Sequence, residues 1–326
     1  MTLDVLSLRP EADFQRAGAL PPAALEVLYR TPDDLDVPAL MKQVRALLIP
    51  AVGPKLSPAL FENSSIKFVQ VTGAGLDRLD LPTLKRLGIS VANAPGGSNS
   101  AVAEYVVTAA SVLLRRFAWA HTEIRAGRYS EFRARMVAGN LAGLDGLVVG
   151  IIGLGVIGLA VAEAFHQRGC QICYYDPEPR DPHAAASLSA KSVSLDELWK
   201  AADVVTLHVP LLPATQGLVG ESQLAAMKPG AILVQASRGG VVDEAALARS
   251  LNSAHLGGAA VDVYSTEPPS VGNPLLRLEG DAANRVLFTP HIAGVTRQST
   301  AFLLRAAWRN IERVLIENVP PLDRAW

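Results

Sequence analysis

Short apolar runs alternate with amphipathic stretches along the first hundred residues. The apolar runs predict five strands, at residues 3–6, 25–28, 46–50, 67–71 and 90–94. Helices are expected from Pro21 onwards and over residues 34–44, 57–61 and 80–87. Strands that alternate with helices in this way are typical of an α/β unit with a parallel sheet.

A long helical pattern begins at Ser100 and continues toward Arg125, before Gly127 breaks it. Its apolar face is formed by Ala101, Val102, Tyr105, Val106, Ala109, Leu113 and Leu114. Such a face predicts burial, either inside the same subunit or against a second subunit. The pattern alone leaves both alternatives open.

The second half of the chain repeats strand and helix again. Strands are predicted at 148–152, 171–175, 204–208, 231–235, 258–261 and 286–288, and helices at 159–166, 194–200, 222–227 and 243–251. Six strands suffice for a doubly wound nucleotide-binding sheet. A final amphipathic helix over 296–318 is expected to return to the N-terminal unit. The predicted domains are therefore 1–101 plus 298–326, and 102–297 between them.

Composition narrows the class of protein. The chain has 326 residues, of which 49% are hydrophobic and 19% charged, so two domains with large cores are expected. A net charge of −1 without a Lys/Arg cluster argues against nucleic acid or an anionic membrane as the main partner. No apolar run approaches the roughly 18 residues of a membrane span, and no basic, then hydrophobic, leader is visible. A soluble cytoplasmic protein is expected.

The two cysteines, Cys170 and Cys173, form a CxxC spacing. This spacing can indicate a redox or metal site. Both residues lie at a predicted strand, however, and residues three apart on a strand face opposite sides. We therefore expect two unpaired, reduced cysteines and no metal.

A glycine-rich turn follows the strand at 148–152. Gly153 is expected to make the tight turn, Gly155 to let the backbone approach a pyrophosphate, and Gly158 to let the next helix pack on the strand. The helix start supplies free N–H groups to the same anion. The sequence thus predicts a dinucleotide site.

Asp176 ends the next strand, 18 residues past Gly158. A carboxylate there can accept both ribose hydroxyls of an adenosine and repel the extra phosphate of NADP. Arg180 is the nearest following arginine, but it stands behind Glu178 and two prolines and is expected to be poorly placed for that phosphate. The predicted cofactor is NAD (NADH).

Three ionisable residues each follow a predicted strand of the second sheet. They are Arg238, Glu267 and His291. Ligands of open parallel sheets bind beyond the carboxyl ends of the strands. Arg238 can fork onto a carboxylate and polarise a ketone, His291 can exchange a proton, and Glu267 can orient the imidazole and favour its charged form. The competing interpretations are a loop charge, a solvated turn acid and a buried structural histidine.

In combination, these motifs resemble the D-isomer-specific 2-hydroxyacid dehydrogenases, from about Lys67 to about Thr300. The matching segments are GAGLD at 73–77, NAP at 93–95, VAE at 102–104, the Gly153 turn, LHVP at 207–210, ASRG at 236–239, VDV at 261–263, EP at 267–268 and PHI at 290–292. The resemblance implies that Arg238, Glu267 and His291 are the catalytic set. It also implies that the amides of Ala74 and Gly75 hold the substrate carboxylate.

The resemblance further implies a cofactor site. Its expected members are Gly153, Gly155, Val156, Ile157, Gly158, Asp176, His208, Val209, Pro210, Ala236, Ser237, Arg238, Asp262, His291 and Ala293. Val156 and Ile157 would face the pyrophosphate, while Ser237, Asp262 and the turn after His291 would face the nicotinamide. The family fold has a Rossmann-like cofactor domain inserted into a flavodoxin-like substrate domain. It usually forms a homodimer through the cofactor domains and the long linking helix.

Three positions depart from the family pattern. Gln235 replaces a common Asn, which we interpret as a packing change; Arg78 replaces another Asn; and Asn99 replaces a Thr whose cofactor contact is not transferred. The predicted substrate loop at 51–56 has only Lys55 as a base, so a small uncharged 2-oxoacid such as glyoxylate or hydroxypyruvate is favoured. Arg78, Arg133 and Arg135 remain open as partners of a charged substrate group.

The resemblance leaves three functions to compare. The main hypothesis is an enzyme that interconverts a 2-oxoacid and its D-2-hydroxy acid with NAD(H). A 3-phosphoglycerate dehydrogenase is the substrate variant of that hypothesis, and an NAD(H)-sensing corepressor-like protein is the alternative from another class. A formate-type enzyme is disfavoured because it has Gln at the position of Glu267.

Overall fold

The computed structural model describes residues 3–325, which form two compact units. One unit comprises residues 3–98 and 295–325, and the other is Asn99–Gly294. The strands are β1 (Val5–Ser7), β2 (Val27–Tyr29), β3 (Ala46–Ile49), β4 (Phe68–Val71), β5 (Ser90–Ala92), β6 (Val148–Ile152), β7 (Gln171–Tyr175), β8 (Lys191–Ser192), β9 (Val204–Leu207), β10 (Ile232–Gln235), β11 (Gly258–Val261) and β12 (Val286–Phe288).

The helices are α1 (Glu11–Ala17), α2 (Val37–Leu40), α3 (Ala59–Glu62), α4 (Leu81–Arg86), α5 (Asn99–Leu114), α6 (Phe117–Arg125), α7 (Tyr129–Ala138), α8 (Val156–His166), α9 (Pro182–Ser187), α10 (Leu195–Ala201), α11 (Glu221–Ala226), α12 (Glu244–Asn252), α13 (Gly280–Ala283) and α14 (Arg297–Leu315). A 3₁₀ turn covers Pro274–Arg277. Within residues 3–325, every helix is too short or too polar to cross a lipid bilayer.

The first unit is a five-stranded parallel sheet with the order β2-β1-β3-β4-β5. This order is that of the flavodoxin-like doubly wound fold. The C-terminal helix α14 belongs to this unit, because Trp308 packs 5.1 Å from the ring of Phe14 and donates its indole N–H to the carbonyl of Ala19. Both ends of the chain therefore build one core.

The second unit is a seven-stranded parallel sheet with the order β12-β11-β10-β9-β6-β7-β8. Counted from β6, the strand order is 3-2-1-4-5-6-7, which extends the dinucleotide-binding order by one strand. The order reverses between β6 and β9, and a crevice for a ligand opens at such a switch point. The prediction of two doubly wound parallel sheets is confirmed.

Two local predictions are wrong. No helix starts at Pro21; a single turn closes at Leu25, because the backbone must already pair Val27 with Val5 in the sheet. The long helix from residue 100 is broken into α5 and α6, since Arg116 adopts a left-handed conformation with φ of 54°. Its guanidinium donates to the carbonyl of Gly257, 2.6 Å away, which fixes the break.

The apolar face of α5 is buried inside the second unit. Val106, Ala110 and Leu113 share a core with Phe165 of α8 and Ile232 of β10. Intramolecular burial therefore accounts for this face.

Both cysteines are free thiols in the structure. Cys170 belongs to the core on one side of the second sheet and Cys173 to the core on the other side. The prediction that the CxxC spacing forms no pair is confirmed.

Candidate active site

The three glycines after β6 differ in the space around them. Gly153 has φ of +92°, and a Cβ placed on it would lie 2.5 Å from the carbonyl oxygen of His208. A Cβ on Gly158 would lie 2.0 Å from the carbonyl oxygen of Gly153, so the helix packs directly on the turn. A Cβ on Gly155 would meet no atom within 4 Å. The open side of Gly155 is a cradle into which a pyrophosphate fits.

The start of helix α8 faces the same opening. Gly155 is its N-cap and makes no side-chain capping bond, so the first backbone N–H groups lack the usual side-chain acceptor. Val156 is 63% exposed and Ile157 is half-buried. This combination of free amides and a dipole end suits an anionic group.

Asp176 follows β7 and anchors the glycine turn. Its Oδ2 accepts from the amide of Leu154 at 2.8 Å and its Oδ1 from the amide of Glu178 at 3.0 Å. Arg180 forks onto both oxygens, with Nε 2.7 Å from Oδ2 and Nη2 2.9 Å from Oδ1. Burial alone would raise the pKa of Asp176, but the donors from Arg180 and the two amides outweigh burial and lower it.

The sequence predicts that Arg180, behind Glu178 and two prolines, is poorly placed for a phosphate on the ribose. The structure shows where its guanidinium lies. The turn after Asp176 doubles back through the Glu178 amide and brings the guanidinium, four residues on, against the carboxylate. The prolines shape this turn rather than separating the two side chains.

His208, Val209 and Pro210 lie just past β9, on the other side of the switch point. The amide of His208 continues the ladder to the carbonyl of Ile152, and its Nε2 lies 2.8 Å from the hydroxyl of Thr206. Burial lowers the pKa of His208 to about 3, so this imidazole is neutral at ordinary pH. A neutral ring can line a cofactor pocket, and it lacks the imidazolium proton that a histidine general acid donates.

Arg238 lies in the turn after β10, and this turn is held by Gln235. The buried Gln235 accepts from the hydroxyl of Ser237 at 2.8 Å and donates to the carbonyl of Arg238 at 2.8 Å. The Nη1 of Arg238 in turn donates to the carbonyl of Ser237. The interpretation of Gln235 as a packing change is therefore wrong, because its amide organises the arginine turn and Ala236 within it.

The arginine turn packs directly on the segment that carries Glu267. A Cβ placed on Gly239 would lie 1.7 Å from the carbonyl oxygen of Tyr264, a separation that only glycine permits. The amide of Tyr264 donates to Oε1 of Glu267 at 3.1 Å, which fixes the carboxylate. The ends of β10 and β11 therefore form one continuous surface.

Glu267 and His291 are in direct contact. The Nδ1 of His291 lies 2.9 Å from Oε2 and 3.2 Å from Oε1 of Glu267. Both side chains are partly exposed, 25% for His291 and 30% for Glu267, so the histidine is not a buried structural residue. With Nδ1 engaged by the carboxylate, Nε2 is the ring nitrogen left to exchange a proton with a ligand.

Asp262 fixes the turn that presents His291, which has an unusual φ of 55°. The backbone carbonyl of Asp262 accepts from the amide of His291, and its carboxylate accepts from the amides of Ile292 and Ala293 at 2.8 and 2.9 Å. The hydroxyl of Thr289 adds a fourth donor at 2.6 Å. Three consecutive amides are thus held by one residue that is 1% exposed.

Ala74 and Gly75 belong to the other unit, in the loop after β4. Ala74 is exposed, and its carbonyl accepts from the side chain of Asn93 at 2.7 Å. Arg78 follows them but is 3% exposed, with Nη1 and Nε donating to the carbonyls of Pro50 and Pro54 at 2.9 Å each. This arginine clamps the loop after β3 rather than standing open to solvent.

The other two arginines considered from sequence lie on α7. Arg135 pairs with Asp281 and lies 4.4 Å over the ring of Trp119. Arg133 is exposed. The side chain of Arg135 therefore makes these contacts within its own unit.

Three residues that organise the site were not recognised in these roles from sequence: Gln235, Tyr264 and Arg180. A polar residue at the end of an otherwise apolar strand was the available signal for Gln235. Tyr264 and Arg180 act through turns whose shape no local pattern encodes.

Residues 107–293 match the family model described as "D-isomer specific 2-hydroxyacid dehydrogenase, NAD binding domain". The chain is 36% identical over 235 residues to a D-3-phosphoglycerate dehydrogenase of Archaeoglobus fulgidus, covering 72% of this chain and 42% of that protein. It is 37% identical to the (S)-sulfolactate dehydrogenase of Chromohalobacter salexigens, over 74% of each chain. A glyoxylate reductase of Thermofilum pendens is 33% identical, over 79% of this chain and 74% of that protein.

Solved structures agree with these relatives. The holo form of Rhodotorula graminis D-mandelate dehydrogenase superposes with a TM-score of 0.84 at 27% identity, covering 100% of this chain and 98% of that one. The chain belongs to the D-isomer-specific 2-hydroxyacid dehydrogenase family, and its second unit is an NAD-binding domain.

Proposed function

We propose that the protein reduces a small 2-oxoacid to the D-2-hydroxy acid with NADH, and catalyses the reverse oxidation. The observation that carries this proposal is the contact between His291 and Glu267 at 2.9 Å. This pair lies at the same edge of the second sheet as the Arg238 turn and the open space beside Gly155. A proton donor, a carboxylate binder and a dinucleotide cradle are together the groups that the reaction requires.

Each residue of the proposed catalytic set has one task. Arg238 forks onto the substrate carboxylate and polarises the neighbouring C2 carbonyl. When bound, the nicotinamide of NADH supplies the hydride that C2 accepts. His291 gives the Nε2 proton to the carbonyl oxygen and takes it back in the reverse direction, while Glu267 holds Nδ1 and orients the ring. Asp262 keeps the histidine turn in place.

The remaining predicted residues are assigned around this centre. The amides of Ala74 and Gly75 are proposed to hold the substrate carboxylate, which makes the first unit the substrate domain. Val156, Ile157 and the amides of α8 are proposed to contact the pyrophosphate. His208, Val209, Pro210, Ala236, Ser237 and Ala293 are proposed to line the rest of the cofactor site.

We propose NAD(H) as the preferred cofactor. Asp176 ends β7, and the ribose hydroxyls of an adenosine are bound at this position in dinucleotide folds. Its lowered pKa keeps the carboxylate ionised, as an acceptor for those hydroxyls must be. The preference is expected to be finite, because Arg180 shares the site.

The substrate we favour is small and uncharged beyond its carboxylate, as in glyoxylate or hydroxypyruvate. Lys55 is the only basic residue in the loop at 51–56. The nearby guanidinium of Arg78 already donates to the carbonyls of Pro50 and Pro54 in the same region. A relative named glyoxylate reductase agrees with this choice. Relatives named for phosphoglycerate and sulfolactate make a phosphorylated or sulfonated substrate the variant to test.

A homodimer in the cytoplasm is proposed as the working form. Helices α6 and α7 expose four large apolar side chains, Phe117, Ile124, Tyr129 and Val137, which a second copy would cover. The two free thiols suit a reducing compartment. Analytical ultracentrifugation at micromolar concentration is expected to give twice the chain mass of 34.5 kDa.

The test of the proposed function is NADH oxidation against glyoxylate, hydroxypyruvate, pyruvate, phenylpyruvate, oxaloacetate and 3-phosphohydroxypyruvate. The His291→Ala protein is compared with a control, His166→Ala, whose exposed side chain lies at the C-terminal end of α8, far from the glycine turn. Turnover of glyoxylate or hydroxypyruvate that only His291→Ala loses supports the proposal. Tight NADH binding without turnover of any oxoacid would instead favour a nucleotide-sensing protein.

A further inference from the structure

The carboxylate of Asp176 is fully occupied by donors of its own chain. Two amides, those of Leu154 and Glu178, and two N–H groups of Arg180 contact it, two donors on each oxygen. An ionised carboxylate offers about four acceptor positions. A ribose hydroxyl can therefore donate to Asp176 only where one of these donors yields.

Arg180 is the donor that can yield. The amides of Leu154 and Glu178 are fixed by the glycine turn and by the turn after β7. The side chain of Arg180 is 36% exposed, whereas that of Asp176 is 3% exposed. The arginine thus covers the acid from the solvent side and can move without disturbing the fold.

The same guanidinium changes the charge that an incoming nucleotide meets. An isolated Asp176 would repel a phosphate on the ribose 2′-oxygen, but a forked Arg180 neutralises it and has further N–H groups to offer. Glu178 and Asp181 add two negative charges next to this pair. The turn therefore keeps an acidic excess that favours the unphosphorylated ribose, and Arg180 supplies its one positive charge.

We propose that Arg180 is a specificity-determining residue that admits NADP(H) as a second cofactor. With NAD(H), Arg180 releases one carboxylate oxygen to the ribose hydroxyls. With NADP(H), it binds the 2′-phosphate and shields that phosphate from Asp176. This inference rests on the dinucleotide site of the proposed function and concerns only its adenosine end.

The test measures binding of adenosine fragments, so that it needs no turnover. Isothermal titration gives the Kd of 5′-AMP and of adenosine 2′,5′-diphosphate for the wild type, Arg180→Ala and Arg180→Lys. The matched control is Arg249→Ala, because Arg249 is also a surface arginine paired with an acid, Glu221, on helices away from β7. Fluorescence titration repeats the comparison with NADH and NADPH.

The expected result is selective. Arg180→Ala weakens adenosine 2′,5′-diphosphate and NADPH at least tenfold, as for loss of a charge-assisted group, and leaves 5′-AMP and NADH within about threefold. Arg180→Lys retains part of the affinity, since it keeps the charge but loses the fork. Arg249→Ala changes none of the four dissociation constants. Raising the salt concentration weakens the binding of the two 2′-phosphorylated ligands more than that of 5′-AMP and NADH.

Two results would overturn the inference. Arg180→Ala could change the Kd of ligands with and without the 2′-phosphate equally, or change neither. Either result would show that the arginine does not face the 2′-position, while the proposed function would stand. Failure of the wild type to bind 5′-AMP, NADH and NADPH would remove the dinucleotide site itself, and the proposed function with it.

Discussion

Replacing Gly155 by alanine should separate cofactor binding from folding. Gly155 has φ of −71°, which alanine adopts without strain, and nothing lies within 4 Å of the added methyl group. The same change at Gly158 places a methyl carbon 2.0 Å from the carbonyl oxygen of Gly153. One substitution therefore enters open space and the other enters the backbone.

The magnitudes follow from these surroundings. At Gly155, alanine gains about 0.4–1 kcal/mol by restricting the unfolded chain and loses a similar amount as a poorer N-cap, so stability stays within about 1 kcal/mol of wild type. Its methyl group stands where the pyrophosphate approaches. Loss of one charge-assisted backbone hydrogen bond costs about 1.5–3 kcal/mol, or roughly a tenfold to hundredfold rise in Kd. At Gly158, overpacking against backbone costs about 3 kcal/mol or more.

The assay pairs urea unfolding with fluorescence titration of NADH for both variants. We expect Gly155→Ala to unfold near the wild-type midpoint and to bind NADH at least tenfold more weakly. Gly158→Ala should lose several kcal/mol of stability. Wild-type NADH affinity in a well-folded Gly155→Ala protein would refute the reasoning, because it would show that no phosphate comes close to this residue.

Three further predictions follow from contacts in the two units. Arg238→Lys should lower kcat/KM for the best 2-oxoacid at least about 100-fold, measured by steady-state kinetics, because lysine cannot fork onto the substrate carboxylate. The wild type should be more stable than Asp176→Asn, because folding lowers the pKa of Asp176 below its unfolded value of 3.8. This difference in unfolding free energy should be complete above pH 3.8 and should shrink as the pH falls toward 3. Denaturation of both proteins at pH 6, 4 and 3 measures it. Arg78→Met should raise KM more than it lowers kcat, because the carbonyls of Pro50 and Pro54 in the loop after β3 lose the guanidinium that holds them. A drop in kcat at constant KM would contradict the role of Arg78 in shaping this loop.

The sheets were predictable because hydrophobic periodicity is a local property. Runs such as 148–152 carry their own strand signal, and the carboxyl ends of parallel strands necessarily meet at one edge. That rule predicts from the sequence alone that Arg238, Glu267 and His291 lie at one edge of the second sheet. The structure then brings Glu267 and His291 into contact although they lie 24 residues apart.

The features that sequence reasoning missed depend on partners far along the chain or on the shape of a turn. Arg116 breaks a helix because its guanidinium reaches Gly257, 141 residues away. Arg180 meets Asp176 because a short turn reverses direction, which spacing alone cannot show. Gln235 looked like an ordinary strand residue until the turn that it holds was visible.

The measurement that tests the central claim most directly is analysis of the product formed from hydroxypyruvate and NADH that carries deuterium at both C4 positions of the nicotinamide. Chiral chromatography and mass spectrometry identify its configuration and the position of the label. The account predicts D-glycerate with one deuterium at C2, and no product from His291→Ala. An L product, a product without deuterium at C2, or wild-type yield from the His291 variant would contradict it.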